Sequence, residues 1–285
     1  MSRAELVRTL AALVEAPGAA TARHADALGF GRAPTPEEHT RLFSFQLYPY
    51  ASVHLGPEGQ LGGIARDRVA GFLRALDVVP PPEPDHLVVL LDAYAQLVDL
   101  DQEAAGPRPR HARRVLLHEH LASWLPRLTH RMAELGADPY RQWAALMDEL
   151  LEAELALLGR APTLPLHLRQ APDLAETVAQ GRDAFVDGLL APVRSGLVLA
   201  RADLTRTARD LDLGLRIGER AYALKSLLEQ DATATLRWLG DEARRQQGCL
   251  PDRDDPTTRF WQQRLAAAAD LLEDLPATHG APVAG

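Results

Sequence analysis

The sequence contains few cysteine, lysine and aromatic residues. Cys249 is the only cysteine, and aromatic residues make up 5% of the 285 positions. A single cysteine excludes an internal disulfide, so we expect an apolar core to hold the fold and the reducing cytoplasm to be the compartment. Lys225 is the only lysine among 31 basic residues, a bias toward arginine that needs no functional cause.

Long apolar runs are absent as well. No stretch approaches the ~18 apolar residues that a bilayer-spanning helix needs, so we expect no stable membrane insertion. Residues 1–18 carry Glu5 and Glu15 between their apolar positions and lack a small-residue cleavage site. This pattern predicts an amphipathic helix rather than an export signal, and it favours a cytoplasmic protein.

The motifs of common catalytic and metal sites are missing. The glycine-rich segment 56–63 lacks the lysine and the flanking strand of a phosphate-binding loop, and no GxSxG motif occurs. His118 and His120 are two residues apart, which places them about 200° around an α-helix, so they cannot share a zinc ion. We therefore expect no metal, no cofactor, no catalytic residues and no enzymatic activity.

Helix signals dominate the chain. Ser2 with Glu5 and Thr35 with Glu38 form capping boxes, and Asp138-Pro139 opens a third helix that runs to about Leu158. Pro126 should kink or divide the helix that contains it. The 3.6-residue apolar period also marks residues 62–76, 86–103, 109–135, 172–190, 217–229, 232–247 and 257–274. The sequence predicts an all-α fold.

Strand signals and long connections are few. Only residues 195–200 (SGLVLA) could form a short strand, and six residues do not separate a strand from a buried helix. Proline and glycine mark the connections at 47–63, 77–84 and 159–171. We take the last as the domain boundary, which gives domains at 1–160 and 161–275 and a disordered tail at 276–285.

The most unusual local feature is the segment PPPEPDHL at residues 80–87. Asp85 stands where the N-cap of the following helix belongs, which would leave His86 in the first turn beside solvent. Alternatively, the carboxylate and the imidazole form a polar recognition point on a stiff loop, suited to a guanidinium group or to pH-dependent peptide binding.

Several segments together resemble the TorD/DmsD/NarJ family of redox-enzyme maturation chaperones. They are PYASVHLGPEGQLGG, GFLRALDV, PPPEPDHLVVLLDAYAQLVDL, LLHEHLASWLPRL and DPYRQWAALMDELLEAEL, in this order over residues 35–158. Two positions depart from the family pattern. Glu83-Pro84 abuts Asp85 directly, and Leu90 stands where a glutamate is usual.

The resemblance implies a TorD-like helical bundle with an additional C-terminal helical region and a role in binding. Members of this family bind the twin-arginine signal peptide, or another segment, of an apo-molybdoenzyme and delay its export until the cofactor is loaded. A partner of that kind fits a chain with a net charge of −8, because carboxylates beside an apolar groove suit basic and apolar residues. The peptide-binding candidates are Tyr50, Ser52, Val53, Leu55, Phe72, Asp85, His86, Leu87, Tyr94, His120 and Trp124.

Two other functions stay open at this stage. Residues 201–229 scan loosely as a helix-turn-helix, which would make the chain a DNA-binding regulator. The charges of six basic and five acidic residues nearly cancel in this segment. Because DNA-reading helices normally lie in a region of positive charge, we expect no nucleic-acid partner. The other rival is a helical enzyme whose acid and base residues lie far apart in sequence.

Overall fold

The computed structural model describes residues 1–103, 107–251 and 255–278, with side chains as far as Leu275. Regular structure in these ranges is helical, and strand-type pairing is limited to an isolated bridge between Tyr50 and His86. The predicted all-α fold is confirmed. Within the same ranges, no helix has the length and apolar character needed to cross a bilayer.

The chain folds into two units. Unit 1 comprises Met1–Ser52 and Leu61–Ala161, and unit 2 comprises Val53–Gln60 together with the chain from Pro162 onward. The functional division at residue 160 stays a prediction. Of the predicted tail, residues 276–278 belong to the last helix, whereas 279–285 lie outside the described residues.

Unit 1 contains the helices of the first half of the chain. They are α1 (Arg3–Ala12), α2 (Thr21–Ala27), α3 (Pro36–His39), the π-helix π1 (Thr40–Ser44), the start of α4 (Ala51–Leu55), α5 (Gly63–Ala75), α6 (Leu87–Glu103), α7 (Pro107–Val115), the π-helix π2 (Leu116–Leu121), α8 (Leu125–Leu135) and α9 (Asp138–Leu158).

Local sequence signals set several of these boundaries. Both predicted capping boxes form, at the starts of α1 and α3. The predicted helix over 109–135 is divided into α7, π2 and α8. Pro126 lies in the first turn of α8, where its missing N–H leaves no carbonyl without a donor.

Two tryptophans are buried in the core of unit 1. α1 packs along α6, α6 against α7, and α8 against α9. Trp124 and Trp143 are fully buried, and the Trp143 Nε1–H donates to the Leu10 carbonyl oxygen at 2.8 Å, which ties α9 to the end of α1. α6 is therefore the helix around which α1 and α7 are placed.

Unit 2 contains the remaining helices. They are α10 (Leu166–Arg169), α11 (Ala175–Val178), α12 (Arg182–Leu190), α13 (Pro192–Ser195), α14 (Arg201–Asp210), α15 (Arg220–Gln230), α16 (Ala232–Gly248) and α17 (Pro256–Thr278). α16 packs along α17, and α15 packs on α12, α14 and α16. Leucines and alanines of these helices form one continuous core.

The predicted connections contain short helices. α4 lies within 47–63 and α10 within 159–171, whereas 77–84 is free of helix. The second part of α4 and the turn after it belong to unit 2. There the Arg194 Nε–H donates to the Pro57 carbonyl oxygen at 2.7 Å.

Candidate functional site

The two short motifs at Tyr50 and Asp85 meet in unit 1. The Leu87 N–H donates to the Pro49 carbonyl oxygen at 2.8 Å, and the Ala51 N–H donates to the Asp85 carbonyl oxygen at 3.0 Å. These bonds frame the bridge between Tyr50 and His86. The segments are adjacent in space although 33 positions separate Ser52 from Asp85.

Asp85 caps a helix other than the one that follows it. Its carboxylate accepts the Ser52 N–H at 2.9 Å, in the first turn of α4, and the residue is 1% exposed. At the start of α6, His86 Nδ1 accepts the Val88 N–H at 3.2 Å. Burial limits direct contact between the Asp85 carboxylate and a bound peptide.

Tyr50 and His86 form the accessible part of this junction. Their ring centroids are 4.7 Å apart, edge to face, and the Tyr50 hydroxyl donates to the Glu83 carboxylate at 2.8 Å. Burial and Glu83 raise the Tyr50 pKa to about 12. Burial also lowers the His86 pKa, against the charges of Glu83, Asp85 and Glu15, so the imidazole is neutral near pH 7.

Tyr94 belongs to a buried ionic cluster. Its hydroxyl bonds to the Glu154 carboxylate and accepts the Arg113 Nε–H at 3.2 Å, and Arg113 also pairs with Glu154 and, at 3.0 Å, with Asp101. Burial and the Glu154 charge raise the Tyr94 pKa. With 2% of Tyr94 exposed, its role in the structure is to join α6, α7 and α9.

His120 and Trp124 lie at the irregular turn between π2 and α8. Trp124 is fully buried and its Nε1–H donates to the His120 carbonyl oxygen at 2.7 Å, while the His120 ring lies 5.3 Å from that of half-buried Phe72. Burial lowers the His120 pKa to about 4. The neutral His120 ring therefore packs against Phe72 of α5, and Trp124 bonds to the backbone of His120.

The remaining candidates do not share an accessible surface with Tyr50. Ser52 and Leu87 are fully buried in unit 1, and Ser52 Oγ accepts the Gly62 N–H at 3.2 Å. Val53 and Leu55 are buried residues of the segment that belongs to unit 2. Of the eleven predicted peptide-binding residues, Tyr50, Phe72 and His86 are the ones that retain partial exposure.

An open apolar groove lies elsewhere on unit 1, between the end of α5, the following loop, α6 and the start of α7. Its volume is about 350 Å³. Val78 and Leu100 on its walls are 42% and 46% exposed. It is lined by Leu73, Leu76, Val78, Pro81, Val89, Asp92, Ala93, Gln96, Leu97, Leu100, Arg108, Pro109 and Ala112. We call it the α6 groove.

Three polar side chains accompany this apolar lining: Asp92, Gln96 and Arg108. Partial burial raises the pKa of Asp92, and the charge of Glu15 acts in the same direction. Glu15 also acts on the pKa of His86 at the Tyr50–His86 junction. Arg8 acts on the Asp92 pKa in the opposite direction, and a further cation next to Asp92 would lower this pKa more.

The groove was missed because a single sequence does not show which apolar faces are covered. α6 carries one stripe that faces the core and a second stripe at Val89, Ala93, Leu97 and Leu100. This second stripe, with i, i+4, i+8 and i+11 spacing, was the available signal. A helix that is apolar on two faces needs two partners, and the second face of α6 is open.

Residues 201–229 do not present a basic field. Arg206 pairs with Asp203 and Glu242, Lys225 pairs with Asp183 at 2.7 Å, and the Arg220 guanidinium donates to the Leu199 carbonyl oxygen at 2.7 Å. Cations engaged in this way are not aligned for phosphate contacts, so these contacts give no support to DNA binding.

Comparisons with known proteins address the part of the chain that contains the junction and the groove. Residues 10–130 match the family model described as nitrate reductase delta subunit. The match supports a similarity of this segment to the NarJ/TorD-like redox-enzyme maturation chaperones. The predicted family resemblance is thus confirmed for these residues, which include Tyr50, Asp85, His86 and the whole lining of the groove.

A curated protein is also similar in sequence to part of this chain. The chain is 37% identical over 99 residues to the selenate reductase assembly chaperone protein of Thauera selenatis. The alignment covers 33% of this chain and 46% of the relative, so the chain spans about half the length of the protein it matches.

Proposed function

We propose that the chain is a chaperone that binds a segment of an apo-molybdoenzyme catalytic subunit in the α6 groove and acts without catalysis of its own. The observation that carries the proposal is an open groove of about 350 Å³, lined mainly by apolar residues, within the segment that matches the chaperone family. An apolar client segment gains free energy by leaving water there.

Asp92 on the α6 wall of the groove suits a basic residue of the client segment, and Arg108 on the α7 wall suits an acidic one. Asp92 lies in the lining, the charge of Glu15 acts on both Asp92 and His86, and the charge of Glu83 acts on His86. A twin-arginine signal peptide joins arginines to an apolar stretch and fits this combination, as does a mature segment of the same character. Binding before export would take place in the cytoplasm and would give time for folding and cofactor insertion.

The Tyr50–His86 junction has a positioning role in this proposal. Its backbone bonds fix the residue at which α6 begins, because the Leu87 N–H is held by the Pro49 carbonyl oxygen. The start of α6 in turn sets the direction of the stripe from Val89 to Leu100. Tyr50 and His86 are also exposed enough to meet the end of a bound peptide.

The first experiment identifies the client. The tagged chain is purified from the cytoplasm of its own host, and the proteins that accompany it are named by mass spectrometry. We expect an unprocessed molybdopterin oxidoreductase subunit. Recovery of duplex DNA or a small molecule in its place would contradict the proposal.

The second experiment tests the groove. Leu100→Asp places a charge in the apolar lining, and because Leu100 is 46% exposed the fold should tolerate it. We expect binding of the identified client peptide to weaken by about tenfold or more. Leu61→Asp, at a 58% exposed leucine outside the lining, is the matched control and should bind as the wild type does. Equal affinity of the two variants would place the peptide elsewhere.

A further inference from the structure

The loop between α14 and α15 in unit 2 holds an unusually exposed apolar tip. Ile217 is 95% exposed and Leu215 39%, while Tyr222, in the first turn of α15, is 48% exposed. Scattered exposed aliphatic residues are ordinary on proteins, but here three large apolar side chains lie within eight positions. We call residues 211–219 the apolar loop.

Hydrogen bonds hold the apolar loop in place. The Gln230 side chain bonds to both the N–H and the carbonyl oxygen of Gly214, at 2.8 and 2.7 Å. Arg201 donates to the Gly218 carbonyl oxygen. The Arg216 guanidinium donates to the Tyr222 hydroxyl at 3.3 Å and lies 5.8 Å from the centre of its ring. A pre-organised loop loses little conformational entropy on binding.

The charges of the loop specify what would cover it. Arg216 stands between the two exposed aliphatic residues, and Glu219 follows at the end of the loop. The complementary surface is an apolar cavity with a carboxylate beside it and a cation farther along. The α6 groove has this composition, with Asp92 on α6 and Arg108 on α7.

We propose that the chain self-associates, with the apolar loop of one copy docked in the α6 groove of another. Ile217 and Leu215 fill the apolar lining, Arg216 meets Asp92, and Glu219 meets Arg108. A groove of about 350 Å³ is large enough for two aliphatic side chains. Two such contacts related by a two-fold axis close a dimer, whereas contacts that do not close form longer oligomers.

A consequence for client binding rests on the proposed function. If the α6 groove also holds the client segment, self-association and client binding exclude each other, and the associated form is a store of unloaded chaperone. Self-association itself needs no client, so it is measured on the purified chain alone. Failure of client binding would leave that measurement unaffected, and the two proposals are tested separately.

The experiment is sedimentation velocity of the full chain from about 1 to 200 µM. We expect concentration-dependent association in the wild type and an association constant about tenfold or more lower for Ile217→Asp, since a charge replaces the most exposed apolar contact. Leu61→Asp removes an exposed leucine outside both surfaces and should associate as the wild type does. A wild-type chain that stays monomeric throughout this range overturns the proposal.

Mixing two variants distinguishes loop-to-groove docking from other forms of self-association. Ile217→Asp keeps an intact groove and Leu100→Asp keeps an intact loop. Each variant alone should therefore associate about tenfold or more weakly than the wild type, whereas their mixture retains one intact loop-to-groove contact and forms a complex with one copy of each. If the mixture associates no more strongly than either variant alone, or if Leu100→Asp associates as the wild type does, the groove is not the partner of the loop.

Discussion

The carboxylate of Asp85 lies 33 positions from the backbone N–H that it accepts, at Ser52 in the first turn of α4. Such a bond fixes the path of two segments at once, because it joins the helix start to the loop that precedes α6. A short helix such as Ala51–Leu55 has little stability of its own, so its order depends on contacts of this kind.

Asp85→Ala should destabilise the protein by about 1–3 kcal/mol. The substitution leaves the buried Ser52 N–H without an acceptor, which costs more than the loss of an exposed cap. Urea unfolding measures the effect, with Asp85→Asn as the control, since its amide oxygen still accepts. Unchanged stability together with weaker client binding would instead make the carboxylate a direct contact to the client.

His120 gives the protein a specific response to acid. Its folded-state pKa of about 4 lies below the usual 6.5, because burial penalises the imidazolium. Between these two pKa values, the His120 imidazole therefore binds a proton in the unfolded chain but not in the folded chain. The neutral ring therefore contributes ~3 kcal/mol to the free energy of unfolding above pH 6.5, and this contribution is lost as the pH falls toward 4.

His120→Gln should flatten this part of the stability profile. The measurement is the free energy of unfolding by urea at pH 7, 6, 5 and 4. Between pH 6.5 and 4, unfolding of the wild type takes up as much as one proton more than unfolding of the variant, so the free energy of unfolding of the variant should depend less on pH. His111→Gln, at an exposed histidine of α7, controls for loss of an imidazole at the surface. Parallel profiles of wild type and His120→Gln would show that the ring is not buried in its neutral form.

At the scale of elements, side chains can take the place of a secondary-structure partner. Residues 195–200 are buried but form no strand. Ser195 ends α13, and the buried Gln246 side chain accepts the Val198 N–H at 3.1 Å and donates to the Val198 carbonyl oxygen at 3.4 Å. The apolar pattern predicted burial correctly, whereas the source of the hydrogen bonds, 48 positions away, decided the conformation.

Close backbone approach is a second constraint at this scale. Gly59 has a φ of +61°, and a Cβ there would lie 2.7 Å from the Ala191 Cα and 2.8 Å from the Leu190 carbonyl oxygen, so the turn after α4 lies directly on the end of α12. Glycine is required by both the conformation and the contact.

Gly59→Ala should lower the stability of the protein by about 2–4 kcal/mol, the sum of left-handed strain and overpacking. Gly29→Ala is the matched control, because Gly29 has a φ of +75° and no atom within 4 Å of the position that a Cβ would take, and it should lose only about 1 kcal/mol. Thermal unfolding of the two variants measures the difference. Equal losses of stability would show that the backbone around Ala191 moves to accommodate the added Cβ at a small cost in free energy.

At the scale of the whole molecule, the chain is divided between its two units in an interleaved order. Residues 53–60 belong to unit 2 although the sequence on both sides belongs to unit 1. Arg194 bonds to the Pro57 carbonyl oxygen, and Gly59 packs on Ala191. Unit 2 is therefore completed by a segment from the first half of the chain.

A cut in the exposed 159–163 connection should leave the protein in one piece. A protease site inserted after Arg160 separates the chain covalently, but residues 53–60 stay with unit 2 and keep the halves together. We expect the cleaved fragments to co-elute in size-exclusion chromatography without denaturant. Fragments that elute separately would show that 53–60 contributes little to unit 2.

The sequence by itself determined the helical class, the capped starts of α1 and α3, the break at Pro126 and the family resemblance of residues 10–130. These follow from local bonds, from apolar period and from motifs in a fixed order, all of which are read along the chain. The tertiary structure decided that Asp85 caps α4, that Tyr94 joins a buried ionic cluster and that the open apolar surface is the second face of α6. Each of these depends on which distant segments pack together, because burial and hydrogen-bond partners are set by neighbours in space.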